Sequence, residues 1–212
     1  MQVPPQRLEQ ATEAARILGT AVYDKFPFAG SIRPMSEDIG ELTLNRTWRP
    51  QLAIVGMDGY PAPENAGNVL LPYSTAKLSL RLPPTLDGAK AVKILKEALE
   101  ADPPYGAEVE FEAEGGQSGW NAPPLAKWLE KSVAHASEEA FDKPPAYMGE
   151  GGTIPFMGML GEKFPETQFV ITGVLGPHSN AHGPNEFLHI PTGKRVTMAI
   201  ARIIADHYSR PN

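Results

Sequence analysis

Residues 176–187 read GPHSNAHGPNEF, in a chain that contains five histidines in all. A histidine whose backbone is fixed by Gly and Pro on both sides can hold a metal ion or move a proton. Its imidazole titrates near neutrality and offers a nitrogen lone pair. His182, between Ala181 and Gly183, is the candidate. The same residue types also describe an ordinary surface turn, and one histidine is not a site. His178 lies four residues earlier, a spacing that would pair two ligands on a helix, but the prolines and glycines disfavour a helix here. Glu186 could be a ligand, a partner that steadies a ligand, or a charge at a helix start, and we read it as the second of these. His189 falls near the start of the last helix, and His135 and His207 lie within helices, where structural roles suit them. A catalytic zinc needs three protein ligands, and neither HExxH nor HxH occurs.

Two other stretches carry candidate chemistry. Glu150 to Pro155, EGGTIP, offers consecutive backbone amides ahead of an expected helix, and Gly151, Gly152 and Thr153 would let a carboxylate or oxyanion approach those N–H groups closely. An ordinary tight turn reads the same way. The spacing of a phosphate-binding loop, GxxxxGK[ST], is absent, which disfavours nucleotides. Arg81 points away from the apolar side of an expected strand and Asn68 lies in the loop before it. A guanidinium with an amide suits a peptide carbonyl or a carboxylate, although each alone describes a solvated surface residue.

These side chains must be carried by elements whose order the hydrophobic pattern predicts. Residues 5–19 have the spacing of an amphipathic helix ended by Gly19, with a second helical piece around Ser36 to Leu44. QLAIVGM, ended by Asp58-Gly59, reads as a strand. From Ser74 onward Ala76, Leu78, Leu80 and Leu82 alternate with Lys77, Ser79 and Arg81, the pattern of a half-buried strand. Asp87 caps a helix with Val92, Leu95 and Leu99 on its stripe, and AEVEFEAEG alternates as a further strand. Strand, strand, helix, strand is most of an α+β unit of ferredoxin-like type. Beyond about residue 118 come a helix over 122–141 with Leu125, Trp128, Leu129 and Val133 on one face, a Gly-rich loop, a short strand TQFVITGVL, the His182 loop and a final helix. A strand leading into a loop with ligand-like residues belongs to an α/β layer, which carries its sites at the carboxyl ends of strands.

Composition narrows the function classes. A net charge of -6 without a Lys/Arg cluster argues against nucleic acid. The absence of cysteine excludes disulfides, thiolate ligands and a thiol nucleophile. The first residues lack the order of a secretory signal and no apolar run reaches membrane-spanning length, so the expected compartment is the cytoplasm. Pro and Gly together make about a fifth of the chain and fall between apolar runs, as punctuation.

Taken together, AHGPNE at 181–186, EGGTIP at 150–155, and Asn68 and Arg81 within GNVLLPYSTAKLSLRLPP resemble the C-terminal half of the M20 family of zinc metallopeptidases. The likeness is greatest to the carnosinase-like dipeptidases and their amidohydrolase kin, and it runs from about Trp48 onward. It implies that His182 is the last ligand of a two-zinc centre, a donor set that also accepts manganese or cobalt. It further implies that Asn68 and Arg81 grip the substrate from a lid domain, in many members at the active site of a partner subunit. Gly151, Gly152 and Thr153 would meet the substrate carboxylate. His178 receives no role, since relatives often carry glycine there.

The implied organisation is a connecting segment over 1–47, a ferredoxin-like lid and dimerisation domain over 48–117, and the C-terminal part of an α/β catalytic domain over 118–212. The family's HxD segment, bridging aspartate, glutamate pair and further acidic ligand have no match, and Met1 falls within the lid. Because hydrolysis needs a metal-held water and a base, the chain alone is expected to be inactive. The expected partners are a small peptide or acylated amino acid, a second copy through the lid, and a separately encoded N-terminal half. The other reading is a non-catalytic dimerisation or carboxylate-binding module.

Overall fold

The computed structural model describes residues 2–150, 155–176 and 178–210. It divides into two compact units, one of residues 44–120 with Glu150 and Pro155, the other of residues 2–43, 121–149 and 156–210. Two helices open the chain. α1 (Pro5–Leu18) begins on a proline, which has no amide to leave unsatisfied in the first turn, and ends at Gly19 with φ 51. It buries Ala11, Ala14 and Ala15. α2 (Ile39–Thr47) starts where the Asp38 carboxylate accepts the Glu41 N–H at 3.1 Å, an N-cap that moves the helix slightly past the expected Ser36 to Leu44.

The first unit carries an antiparallel pair, β1 (Gln51–Asp58) and β2 (Thr75–Arg81), in register from Gln51↔Arg81 to Asp58↔Thr75. A bulge between Ile54 and Gly56 gives β1 one extra residue. Leu52 faces Leu80, Ile54 faces Leu78 and Met57 faces Ala76, so the apolar side chains share one side of the sheet. The half-burial expected from Ser74 onward holds at Leu78 and Leu82, while Leu80 is exposed. On β1 Leu52, Ile54 and Met57 are about 60% exposed, because two strands cannot cover their own face.

α3 (Gly88–Glu100) is capped by Asp87, whose carboxylate accepts the Lys90 N–H at 2.7 Å. The strand expected over AEVEFEAEG does not form. Residues 107–115 join no ladder, and the Phe111 N–H goes to the Glu100 carboxylate at 2.8 Å, at the end of α3. Alternation of Val109, Phe111 and Ala113 describes a segment suited to a sheet, but a strand exists only where a neighbour supplies the ladder. Among the described residues, the expected ferredoxin-like pattern therefore comes down to the two-stranded sheet of β1 and β2 with α3.

In the second unit α4 (Lys127–Phe141) begins later than residue 122, since Pro123 and Pro124 precede it and the Ala126 N–H is taken by the Gln168 side chain at 2.6 Å. α5 (Pro155–Lys163) follows, then α6 (Ile190–Ser209). α4 and α6 form the core through Leu129, Ala136 and Ile203, flanked by Leu125, Trp128, Val133, Ala199 and Ile200. His207 on α6 meets Trp128 edge-on at 5.3 Å, a packing role, and His189 caps α6 by accepting the Thr192 N–H at 3.4 Å. The second expected strand, TQFVITGVL, also has no ladder, and Ile171 and Leu175 are exposed. Among the described residues no helix is long and apolar enough to cross a membrane.

Candidate functional site

The loop before α6 is built from its own side chains. Ser179 is buried and donates its hydroxyl to the Gly176 carbonyl at 2.8 Å, while its own carbonyl accepts the Phe187 N–H at 3.1 Å and closes the base of the loop. The Asn180 amide donates to the Pro184 carbonyl, and the Asn180 carbonyl accepts the Gly183 N–H at 2.9 Å. The His182 N–H donates to the Glu186 carboxylate at 3.2 Å.

His178, Asn180, His182 and Asn185 all take left-handed backbone angles, with φ between 55 and 66°. Asn and His are the non-glycine types that tolerate this region best, which gives the residue choice in NAHGPNE a backbone reason beside any chemical one. Sequence reasoning gave His178 no role and did not single out the two asparagines. The signal available was their preference for positive φ.

His182 thus sits exposed in a loop whose backbone is fixed, with a carboxylate on its own N–H. Its ring lone pair is a donor the loop could offer a metal. Asn68 and Arg81 belong to the other unit. Asn68 is exposed in the bend ahead of β2, and Arg81, also exposed, closes β2 opposite Gln51. Gly151, Gly152 and Thr153 lie outside the described residues. Glu150, just before them, is paired with Arg46 at 3.0 Å.

Among the described residues no three His, Asp or Glu side chains gather where a metal could be held. A catalytic zinc takes three protein ligands and an open position. One loop imidazole, with the neighbouring carboxylate engaged by backbone, is a single ligand. The donors among the described residues therefore do not by themselves fit a resident zinc.

No family model matches the chain. It is 27% identical over 156 residues to a cysteinylglycine-S-conjugate dipeptidase of Corynebacterium striatum, covering 74% of this chain and 34% of that one. Its fold is similar to human carnosine dipeptidase 1, with a TM-score of 0.65 at 17% identity over 97% of this chain and 43% of that structure. It is equally similar to an M20 family metallo-carboxypeptidase of Sulfolobus solfataricus, with a TM-score of 0.65 at 20% identity over 97% of this chain and 45% of that structure. The chain spans about a third of the curated relative and less than half of each solved one. It is thus similar in sequence to a dipeptidase and in fold to solved dipeptidase and M20 metallo-carboxypeptidase structures, and it corresponds to a part of their length.

Proposed function

We propose that the chain is the lid and C-terminal portion of a metal-dependent hydrolase that cleaves peptide or amide bonds in dipeptides, small peptides or N-acyl amino acids. The observation that carries this reading is the loop 178–187, whose hydrogen bonds fix His182 in a chain related to M20 peptidases. His182 would supply one ligand to a two-zinc centre completed by other segments, where the metal would polarise the scissile carbonyl. Arg81 and Asn68 hold the substrate carboxylate or the oxyanion that develops at the scissile carbonyl, charge-assisted contacts that favour the transition state. Gly151, Gly152 and Thr153 receive the substrate carboxylate on backbone amides. The remaining ligands and the general base come from another segment, so the chain alone does not turn over substrate.

The exposed apolar side of β1 and β2 favours association of two copies through the lid, and the same surface supports a second reading, a dimerisation module without catalysis. The coding sequence immediately upstream of Met1 separates the two. A reading frame there carrying an HxD segment and a glutamate pair supports the hydrolase. Co-expressed with this chain, its product should give zinc-dependent dipeptide hydrolysis that His182→Ala abolishes. Absence of such a segment, or hydrolysis untouched by His182→Ala, contradicts the proposal.

A further inference from the structure

We propose that residues 168–175, with the groove they form against α4 and α6, are a docking surface for the complementary portion of the hydrolase, which enters as a β-strand laid beside them. The inference rests on reading the chain as a portion of a longer hydrolase. The occupant follows from length. The chain covers 43% and 45% of two solved structures that share its fold, so more than half of each lies outside the part it matches.

The segment QFVITGVL holds Phe169, Val170, Ile171 and Val174, types that favour strands, with no charge and no proline. The Gln168 side chain anchors its start by accepting the Ala126 N–H at 2.6 Å, just ahead of α4. Val170 then lines a groove of about 540 Å³ with Trp128 on α4 and with Ile200 and Ile204 on α6. Ile204 is 64% exposed there, and Ile171 on the segment is 61% exposed. Successive side chains of an extended chain point to opposite sides, so with Val170 toward the groove both sides of the segment are apolar. That is the composition of a strand inside a sheet, covered on both faces. No ladder forms along residues 170–175, and none of their amides donates to another described residue. An open row of N–H and C=O groups beside an apolar groove is what strand addition uses: the main chain pairs along the row while alternate side chains enter the groove. A small ligand would fill the groove and leave the row unpaired, whereas a polypeptide satisfies both.

The probe is the part of the Corynebacterium striatum dipeptidase that lies outside its match to this chain. It is mixed with the full chain without zinc and followed by sedimentation and by hydrogen exchange with mass spectrometry. In the chain alone, amides of residues 170–175 should exchange as fast as those of an unpaired segment, and in the mixture a one-to-one complex should slow them about tenfold or more. Ile171→Pro interrupts the row at an exposed residue, and Ile204→Asp puts a charge in the groove. Each should weaken the complex about tenfold or more, while amides of Leu129 and Ile203 in the α4 and α6 core keep their protection. Failure to form the complex overturns the proposal, as does a complex that both substitutions leave unchanged. Protection of residues 170–175 in the chain alone, through pairing of two copies, also overturns it. A complex that leaves these residues unprotected overturns the docking surface while keeping the reading of the chain as a portion of a longer protein. No zinc is present and no hydrolysis is read, so these outcomes are independent of the metal-ligand role, which the His182→Ala experiment decides.

Discussion

Ser132, buried on α4, donates its hydroxyl to the Asp206 carboxylate on α6 at 2.7 Å. Arg202 donates Nε to the other oxygen of that carboxylate at 2.9 Å and reaches Glu139 at 3.0 Å and the His135 ring at 2.9 Å with its two remaining nitrogens. The seam between the helices is therefore apolar at Leu129 and Ile203 and closed along one side by a charged network.

This seam should be acid-sensitive. The Ser132 hydroxyl first, then Arg202, hold the Asp206 carboxyl below its usual value of 3.8. A carboxyl depressed in the folded state contributes stability that is full above the unfolded value, and the contribution is lost as pH falls through the folded one. Glu13, Glu100 and Glu114, lowered chiefly by their hydrogen bonds to Arg16, Lys96 and Lys77, act in the same direction, and solvent screening keeps each of these contributions, that of Asp206 included, small. Thermal melts should show a plateau near neutrality and a fall below about pH 4. Ser132→Ala should lower the melting temperature by about 2–4 °C at pH 7 and shrink the acid-dependent loss.

Leu129 is 1% exposed and lies at the centre of the α4 and α6 contact. Leu129→Ala removes its contacts and leaves a cavity, at a cost of about 3 kcal/mol in chemical denaturation. A loss below about 1 kcal/mol would mean that the two helices are not held by this core.

Gly88 and Gly116 pass backbone to backbone at the start of α3. A Cβ on Gly116 would strike the Gly88 carbonyl group and sit 2.8 Å from Val92 Cγ2, and one on Gly88 would lie 2.7 Å from backbone carbons of Gly116 and Gln117. The Ser118 hydroxyl accepts the Gly88 N–H at 2.9 Å beside them. Gly116→Ala should destabilise the first unit by about 1–3 kcal/mol, measured by urea titration. Unchanged stability would show that the crossing is looser than drawn.

His178 tests the backbone reading of the loop. At φ 66 it should be replaceable by glycine with no loss of stability, since glycine takes that angle freely. A β-branched valine should cost about 1–2 kcal/mol in the same titration. Equal effects of the two substitutions would argue against the left-handed turn.

The sequence made the helices legible because their signals are local: Pro5 and Gly19 bracket α1, Asp87 caps α3, and the Leu129 stripe runs along α4. The β1 and β2 pair was legible for the same reason, two apolar runs with a turn between them. The segments over 107–115 and 167–175 were misread because alternation records only that a segment can join a sheet, and the partner that makes it a strand is not a local property. At the candidate site, a fixed loop around His182 was legible from its Gly and Pro neighbours, and Glu186, read as a supporting partner, has its carboxylate on the His182 N–H. The Asn180 hydrogen bond was not, because it depends on an amide folding over Gly183, which residue types do not announce.

The most direct test of the account is the metal content of the purified chain after zinc loading and exhaustive buffer exchange, measured by elemental analysis. The account predicts that no zinc is retained, because among the described residues no three His, Asp or Glu side chains gather where a metal could be held. Stoichiometric zinc that survives exchange, and that is lost in His182→Ala, would contradict it and show that this chain holds a complete site of its own.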